Sequence, residues 1–161
     1  MNKLILGIDP GATGGFVFID QEKNIIEAFP TPLIDKSIID IVELNRLIKH
    51  HKPYRAFIEK VGAMPKQGVV SMFNFGKTCG IIEALIVAEY IPYTMVTPQA
   101  WQKVMHEGLD KTLNSKVRSE IIFKRNYPTE NLKATERSKK NHNGMVDALL
   151  IALYGLSLIH I

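Results

Sequence analysis

The sequence predicts a single α/β domain over residues 1–161, a mixed five-stranded sheet flanked by helices. Three short apolar runs at hairpin spacing open the chain, and helix-like and strand-like patterns then alternate, the signature of a sheet with parallel crossovers. At 161 residues and 46% hydrophobic, the chain can bury one real core but is too short for two.

Each element has a local reason. Residues 3–9 (KLILGID), 15–20 (GFVFID) and 24–29 (NIIEAF) read as strands, separated by loops rich in Gly or in Asp, Gln, Glu and Lys. Residues 37–50 place Ile38, Ile41, Val42, Leu44 and Ile48 near a 3.6-residue period, with Ser37 as N-cap and Asp40 at the third helical position. Pro53 ends the linker, and 54–61 (YRAFIEKV) returns to a strand pattern. Residues 68–90 form a long helix whose only charges are Lys77, Glu83 and Glu89; so apolar a helix is expected to be buried on much of its circumference. A strand over 93–96 leads to Thr97-Pro98, a helix start with proline at its first position, and a short helix to Met105. Residues 113–125 read as a basic amphipathic helix, 126–141 as a polar, mobile loop, and 144–158 as the closing helix. The apolar tail 148–161 is shorter than the roughly 20 residues of a membrane span and is led by Asp147, so a buried terminal helix is expected rather than a membrane partner.

The net charge of +4 is unevenly spread. Residues 111–142 carry nine Lys/Arg against three acids, a local +6, which leaves −2 for the rest of the chain. A basic segment on a near-neutral body suits contact with a phosphate backbone, although a solvated charged face has the same composition. Cys79 is the only cysteine, so the sequence offers no internal disulfide and no cysteine-based zinc cluster; a reducing, cytoplasmic setting is expected. The start MNKLILGIDPG reads as a strand rather than a signal peptide, because Asp9 and Pro10 interrupt the apolar run.

Three carboxylates stand on otherwise apolar elements. Asp9 ends the first strand, before the small-residue turn Pro10-Gly11-Ala12-Thr13-Gly14-Gly15, which lets a phosphate approach the backbone closely. Glu59 lies inside Ala56-Phe57-Ile58-Glu59, and Asp147 interrupts the apolar run Met145-Val146-Asp147-Ala148-Leu149-Leu150. A buried carboxylate costs several kcal/mol unless it is paired or binds a cation. Blander roles exist for each: turn formation for Asp9, pairing with Lys60 for Glu59, and a helix-dipole contact for Asp147. Together, the three offer the oxygen ligands that hard cations take, which points to two-metal phosphodiester hydrolysis.

Gly7-Ile8-Asp9-Pro10-Gly11-Ala12-Thr13-Gly14, Phe57-Ile58-Glu59 and Asn143-Gly144-Met145-Val146-Asp147-Ala148-Leu149, in this order and over the whole chain, resemble the RuvC-like Holliday junction resolvases of the ribonuclease H-like superfamily, most closely the compact phage-type members. The resemblance implies a homodimer that makes paired nicks across branched and four-way DNA junctions. It also implies that Asp9, Glu59 and Asp147, with position 143, bind two Mg²⁺ ions, with Mn²⁺ able to substitute. Phage-type members usually have an Asp one helical turn before the last acid; here that position is Asn143, which offers a carbonyl oxygen without the charge. Either Asn143 or His142 then acts as a weaker ligand, or catalysis is weakened. The long helix, beginning near Phe73 and Phe75, would form the dimer core, and the loop before it, with Lys66, would reach the junction centre. Lys111, Lys116, Arg118, Lys124, Arg125, Lys139 and Lys140 are the expected cations for DNA.

Competing readings are narrower. Gly76-Lys77-Thr78 mimics the end of a phosphate-binding P-loop, but the first required glycine would fall at Ser71 and the residues between are bulky. The Asp9 turn also resembles the first phosphate loop of actin-like ATPases and sugar kinases, which need two such domains. A non-catalytic junction-binding protein, and a ribonuclease H-like or terminase-like nuclease with another nucleic-acid substrate, stay open. Trp101 is read as packing rather than base stacking.

Overall fold

The computed structural model describes residues 3–159, so the last two residues of the apolar tail lie outside the described residues. Strands β1 (Ile5–Asp9), β2 (Gly15–Ile19) and β3 (Ile25–Pro30) form an antiparallel meander. A small hairpin, β4 (Leu33–Asp35) with β5 (Ile38–Ile39), leads into α1 (Ile41–His51); β6 (Arg55–Glu59), α2 (Val69–Ala88), β7 (Tyr93–Val96), α3 (Pro98–Met105), α4 (Ser115–Asn126) and α5 (Asn143–Leu158) follow. The main sheet runs β3-β2-β1-β6-β7, with β6 parallel to both β1 and β7. This is the mixed five-stranded sheet that the sequence predicts.

The alternation of strand side chains decides which chemistry faces which helix. Leu6 and Ile8 of β1 pack with Phe16, Phe18 and Ile58 against Leu44 and Ile48 of α1 and Ile82 and Ile86 of α2. Ile5, Val17, Ile19 and Phe57 pack on the opposite face, against α5, Trp101 of α3 and Phe123 of α4. By parity Asp9 shares the face of Ile5, and Glu59 shares that of Phe57. Both strand-end carboxylates therefore lie on the α5 side.

Helix α5 lies unusually close to the sheet because glycines remove the side chains between them. A Cβ on Gly7 would lie 2.0 Å from the Ala148 carbonyl oxygen, and one on Gly155 would lie 2.2 Å from the Phe57 ring. At the helix start the backbones of Gly14 and Gly144 bridge directly.

Three sequence expectations are corrected. Helix α1 begins at Ile41 rather than near Ser37; Asp40 is its N-cap, accepting from the Glu43 N–H at 3.0 Å, because Ile38 and Ile39 are drawn into the hairpin and Ile39 is buried. Helix α2 is not covered on much of its circumference, since only Thr78, Ile82 and Ile86 are buried while Val69 is 85% and Phe73 70% exposed. Its contact with the sheet runs through the C-terminal half alone, and by length and composition it is the one described helix apolar enough to cross a membrane. The segment after α4 has no helix or strand but is tied down. Leu132 is buried, its N–H donates to Asn141 Oδ1 at 2.8 Å, and Asn141 Nδ2 donates to Glu120 Oε1 at 2.8 Å.

Candidate active site

Parallel pairing of Ile8 with Ile58 brings the ends of β1 and β6 together, and with them Asp9 and Glu59. Helix α5 supplies Asp147 from the same face, one residue before the Ala148 that rests on Gly7. The turn after Asp9 is held in part through the Gly11 carbonyl, which accepts two hydrogen bonds. The Gly14 N–H donates to the Gly11 carbonyl at 3.1 Å, and the Thr31 hydroxyl donates to that same carbonyl at 2.6 Å.

A cleft of about 450 Å³ opens over this corner, lined by Asp9, Asp147, Asn143, His142, Lys116 and Lys140 among others. Glu59 stands beside the cleft, not in its wall, with Oε1 accepting from Trp101 Nε1 at 2.8 Å. The three acids feel one another. Burial pushes the Asp9 carboxyl well above the usual range, helped by the charges of Glu59 and Asp147 and opposed by Lys116. Burial also pushes Asp147 up to about 6, against the Ser119 hydroxyl and Lys116. Glu59 is raised by burial and by Asp147, against the Trp101 N–H.

These shifts describe oxygen ligands crowded without enough positive charge, a donor set that fits a hard divalent cation. As the side chains stand, no three His, Cys, Asp or Glu among the described residues are gathered closely enough to hold a metal ion. Asp9 and Asp147 line the cleft, and Glu59, outside its wall, bonds to Trp101.

The remaining candidates divide by position. Asn143 is the first residue of α5, exposed at the cleft and one turn before Asp147. His142 caps that helix, Nδ1 accepting from the Met145 N–H at 3.2 Å, which leaves Nε2 as its free ring nitrogen; burial lowers its pKa. Lys116, in the first turn of α4, and Lys140 put exposed cations at the cleft wall. Lys66, Lys111, Arg125 and Lys139 are exposed outside it, Lys124 pairs with Glu120 at 3.4 Å, and Phe73 projects from α2. Arg118 is half-buried, its Nε without a partner among the described residues and its charge felt by His106.

Sequence reasoning missed four residues that shape this site: Thr31, His106 and Ser119, and Trp101 in its hydrogen-bonding role. Only Trp101 carried a usable signal, since a buried indole N–H must find an acceptor.

No protein-family model and no curated protein matches the sequence. Solved structures match it in fold. RuvC of Thermus thermophilus in complex with a Holliday junction substrate aligns with a TM-score of 0.63 at 13% identity, over 94% of this chain and 92% of that one. The fowlpox virus resolvase in complex with its substrate Holliday junction DNA aligns with a TM-score of 0.62 at 12% identity, over 98% and 99% of the two chains. The yeast mitochondrial Holliday junction resolvase gives a TM-score of 0.59 at 17% identity, over 96% of this chain and 79% of that one. The chain has the RuvC-like, ribonuclease H-like fold.

Proposed function

We propose that this protein is a structure-selective endonuclease that resolves four-way and other branched DNA junctions by paired nicks, with Asp9, Glu59 and Asp147 holding Mg²⁺ and with activity weakened by Asn143. The observation that carries the reading is that two adjacent strand ends and a glycine-packed helix bring three carboxylates to one corner of the sheet, near enough to raise the pKa of Asp9 and Glu59, in a fold shared with proteins solved bound to Holliday junctions. A hard divalent pair bound there would neutralise the scissile phosphate and supply a hydroxide nucleophile at neutral pH.

The chain's own groups divide the remaining work. Asp9 and Asp147 offer carboxylate oxygens into the cleft, and Trp101 holds Oε1 of Glu59, whose Oε2 has no partner among the described residues. Lys116 and Lys140 set positive charge where a phosphate backbone would enter. Asn143 contributes a neutral carbonyl oxygen where a charge would draw in a second cation.

Two symmetric cuts need two sites, and α2 supports a second copy of this chain. Val69, Phe73, Gly76, Gly80, Ala84 and Val87 recur at three- and four-residue steps and are all exposed, with open space beside both glycines. A non-catalytic junction-binding module is the second reading, favoured by the amide at 143 and the absence of a three-acid metal grouping among the described residues.

The deciding assay compares a synthetic four-way junction with linear duplexes of the same arms, in Mg²⁺, Mn²⁺ and EDTA. Metal-dependent paired nicks in the junction alone are expected. Equal cutting of linear duplex would replace the reading with a general nuclease, and tight junction binding with no cutting, even after Asn143→Asp, would replace it with the binding module.

A further inference from the structure

Behind the acidic cleft lies a buried polar layer that the residue roles above leave unused. Trp101 is fully buried, and the acceptor its indole N–H has found is one of the three acids rather than a backbone carbonyl. The Trp101 ring stands edge-on to His106, with centroids 5.4 Å apart. His106 and Ser119, 4% and 1% exposed, join through Nε2 and Oγ at 2.9 Å. The Ser119 hydroxyl also lies near enough to the Asp147 carboxyl to oppose the rise in its pKa.

A hydroxyl has one proton to give. If Ser119 donates it to Asp147, its oxygen must accept from His106 Nε2–H, and Nδ1 of the neutral ring is then bare. Nδ1 is buried and has no hydrogen-bond partner among the described residues. The tautomer that satisfies Asp147 thus leaves a lone pair unmatched there, not a stranded N–H, the rarer defect in folded proteins. Helix α3 thus directs a donor at Glu59, and α4, backed by His106 at the C-cap of α3, brings a hydroxyl near Asp147.

We propose that Trp101, His106 and Ser119 are positioning residues, a buried set of donors that orients Glu59 and Asp147 to receive a divalent cation. The proposal rests on the endonuclease reading, because only a metal-binding role gives the orientation of these two carboxylates a consequence. None of the three need touch DNA, since all are buried.

The test measures Mn²⁺ binding to the full chain without DNA by electron paramagnetic resonance, beside thermal melting and junction affinity in EDTA. Trp101→Phe keeps a ring and removes the donor, Ser119→Ala removes the hydroxyl, and His106→Leu removes the ring nitrogens. His106→Gln returns an amide donor near the place of Nε2. The first three variants should weaken Mn²⁺ binding by about 10- to 100-fold, with junction affinity in EDTA unchanged and His106→Gln largely restored. Nitrogen NMR of the unaltered chain should show His106 protonated at Nε2, a readout that needs no variant to fold. Unchanged Mn²⁺ affinity in the variants that fold, or protonation at Nδ1, overturns the proposal while leaving the endonuclease reading intact. An unaltered chain that binds no Mn²⁺ overturns both.

Discussion

Asp147→Asn should make the metal-free protein more stable while removing its activity. Burial holds the Asp147 carboxyl near 6, against an ordinary 3.8. Between those values the unfolded chain has released the proton and the folded chain still holds it, so stability falls as pH rises through the window. Above about pH 6 the loss is complete and amounts to about 3 kcal/mol, at about 1.36 kcal/mol for each tenfold difference in proton affinity. The amide removes that penalty and keeps the shape. For a domain of this size about 3 kcal/mol corresponds to roughly 6–12 °C in melting temperature. Thermal unfolding of both proteins in EDTA should show the gain in full near pH 7.5 and almost none near pH 4. Millimolar Mn²⁺ should then stabilise the parent and leave the variant unmoved, because a ligand that binds only the folded state raises stability with its concentration. A variant no more stable than the parent near neutral pH, or a gain that does not change with pH, would refute the assignment of Asp147 as a buried charge that its neighbours compensate only in part.

The other expectations are read from nicking, binding and mass. Asn143→Asp should raise junction cleavage by about 100-fold or more, worth about 3 kcal/mol in the barrier, with little change in junction affinity in EDTA; vigorous cutting by the unaltered chain would show that position 143 is not a required ligand. Asp9→Asn should abolish nicking and leave junction binding largely intact by gel shift. Junction affinity should fall steeply with salt, with a log–log slope of about −3 to −5 if about four or five of the exposed cations of the basic segment meet phosphates. Light scattering at micromolar concentration should give a dimer mass, and Gly80→Leu, which fills the open space on the exposed face of α2, should reduce it to a monomer.

Much of the fold was legible because the strands are apolar runs and the helices periodic. The failures have specific causes. Ile38 and Ile39 fit a helical period as well as a strand, and only pairing with Leu33 and Asp35 decides between them. The apolar composition of α2 was legible, but composition does not say whether sheet or partner covers a face. Asp9, Glu59 and Asp147 stood out because charges in apolar runs are costly. The donors around them did not, because a serine in a basic helix and a histidine just past the end of a short one look ordinary until tertiary packing places Ser119 beside both Asp147 and His106.

The separation between stability and function in this site follows from how it is held. Without a cation, Asp9, Glu59 and Asp147 repel one another, so attraction among side chains cannot be what gathers them. Backbone contact does it: α5 meets β1 where Gly7 has no side chain and meets the turn where Gly14 and Gly144 touch. Behind that contact Met145, Val146, Leu149, Leu150, Ile151 and Leu153 are buried, and at about 2 kcal/mol each they outweigh the charge penalty at Asp147 several-fold. Asn143 stands outside this balance. It is exposed at the first position of α5, where a carboxylate would lose little hydration and would gain about 0.3–1 kcal/mol from the helix dipole, offset in part by Asp147 one turn on. Fold stability therefore gives no reason to prefer an amide at 143. Its consequence falls on the charge of the cleft, so Asn143→Asp should change cleavage far more than melting temperature.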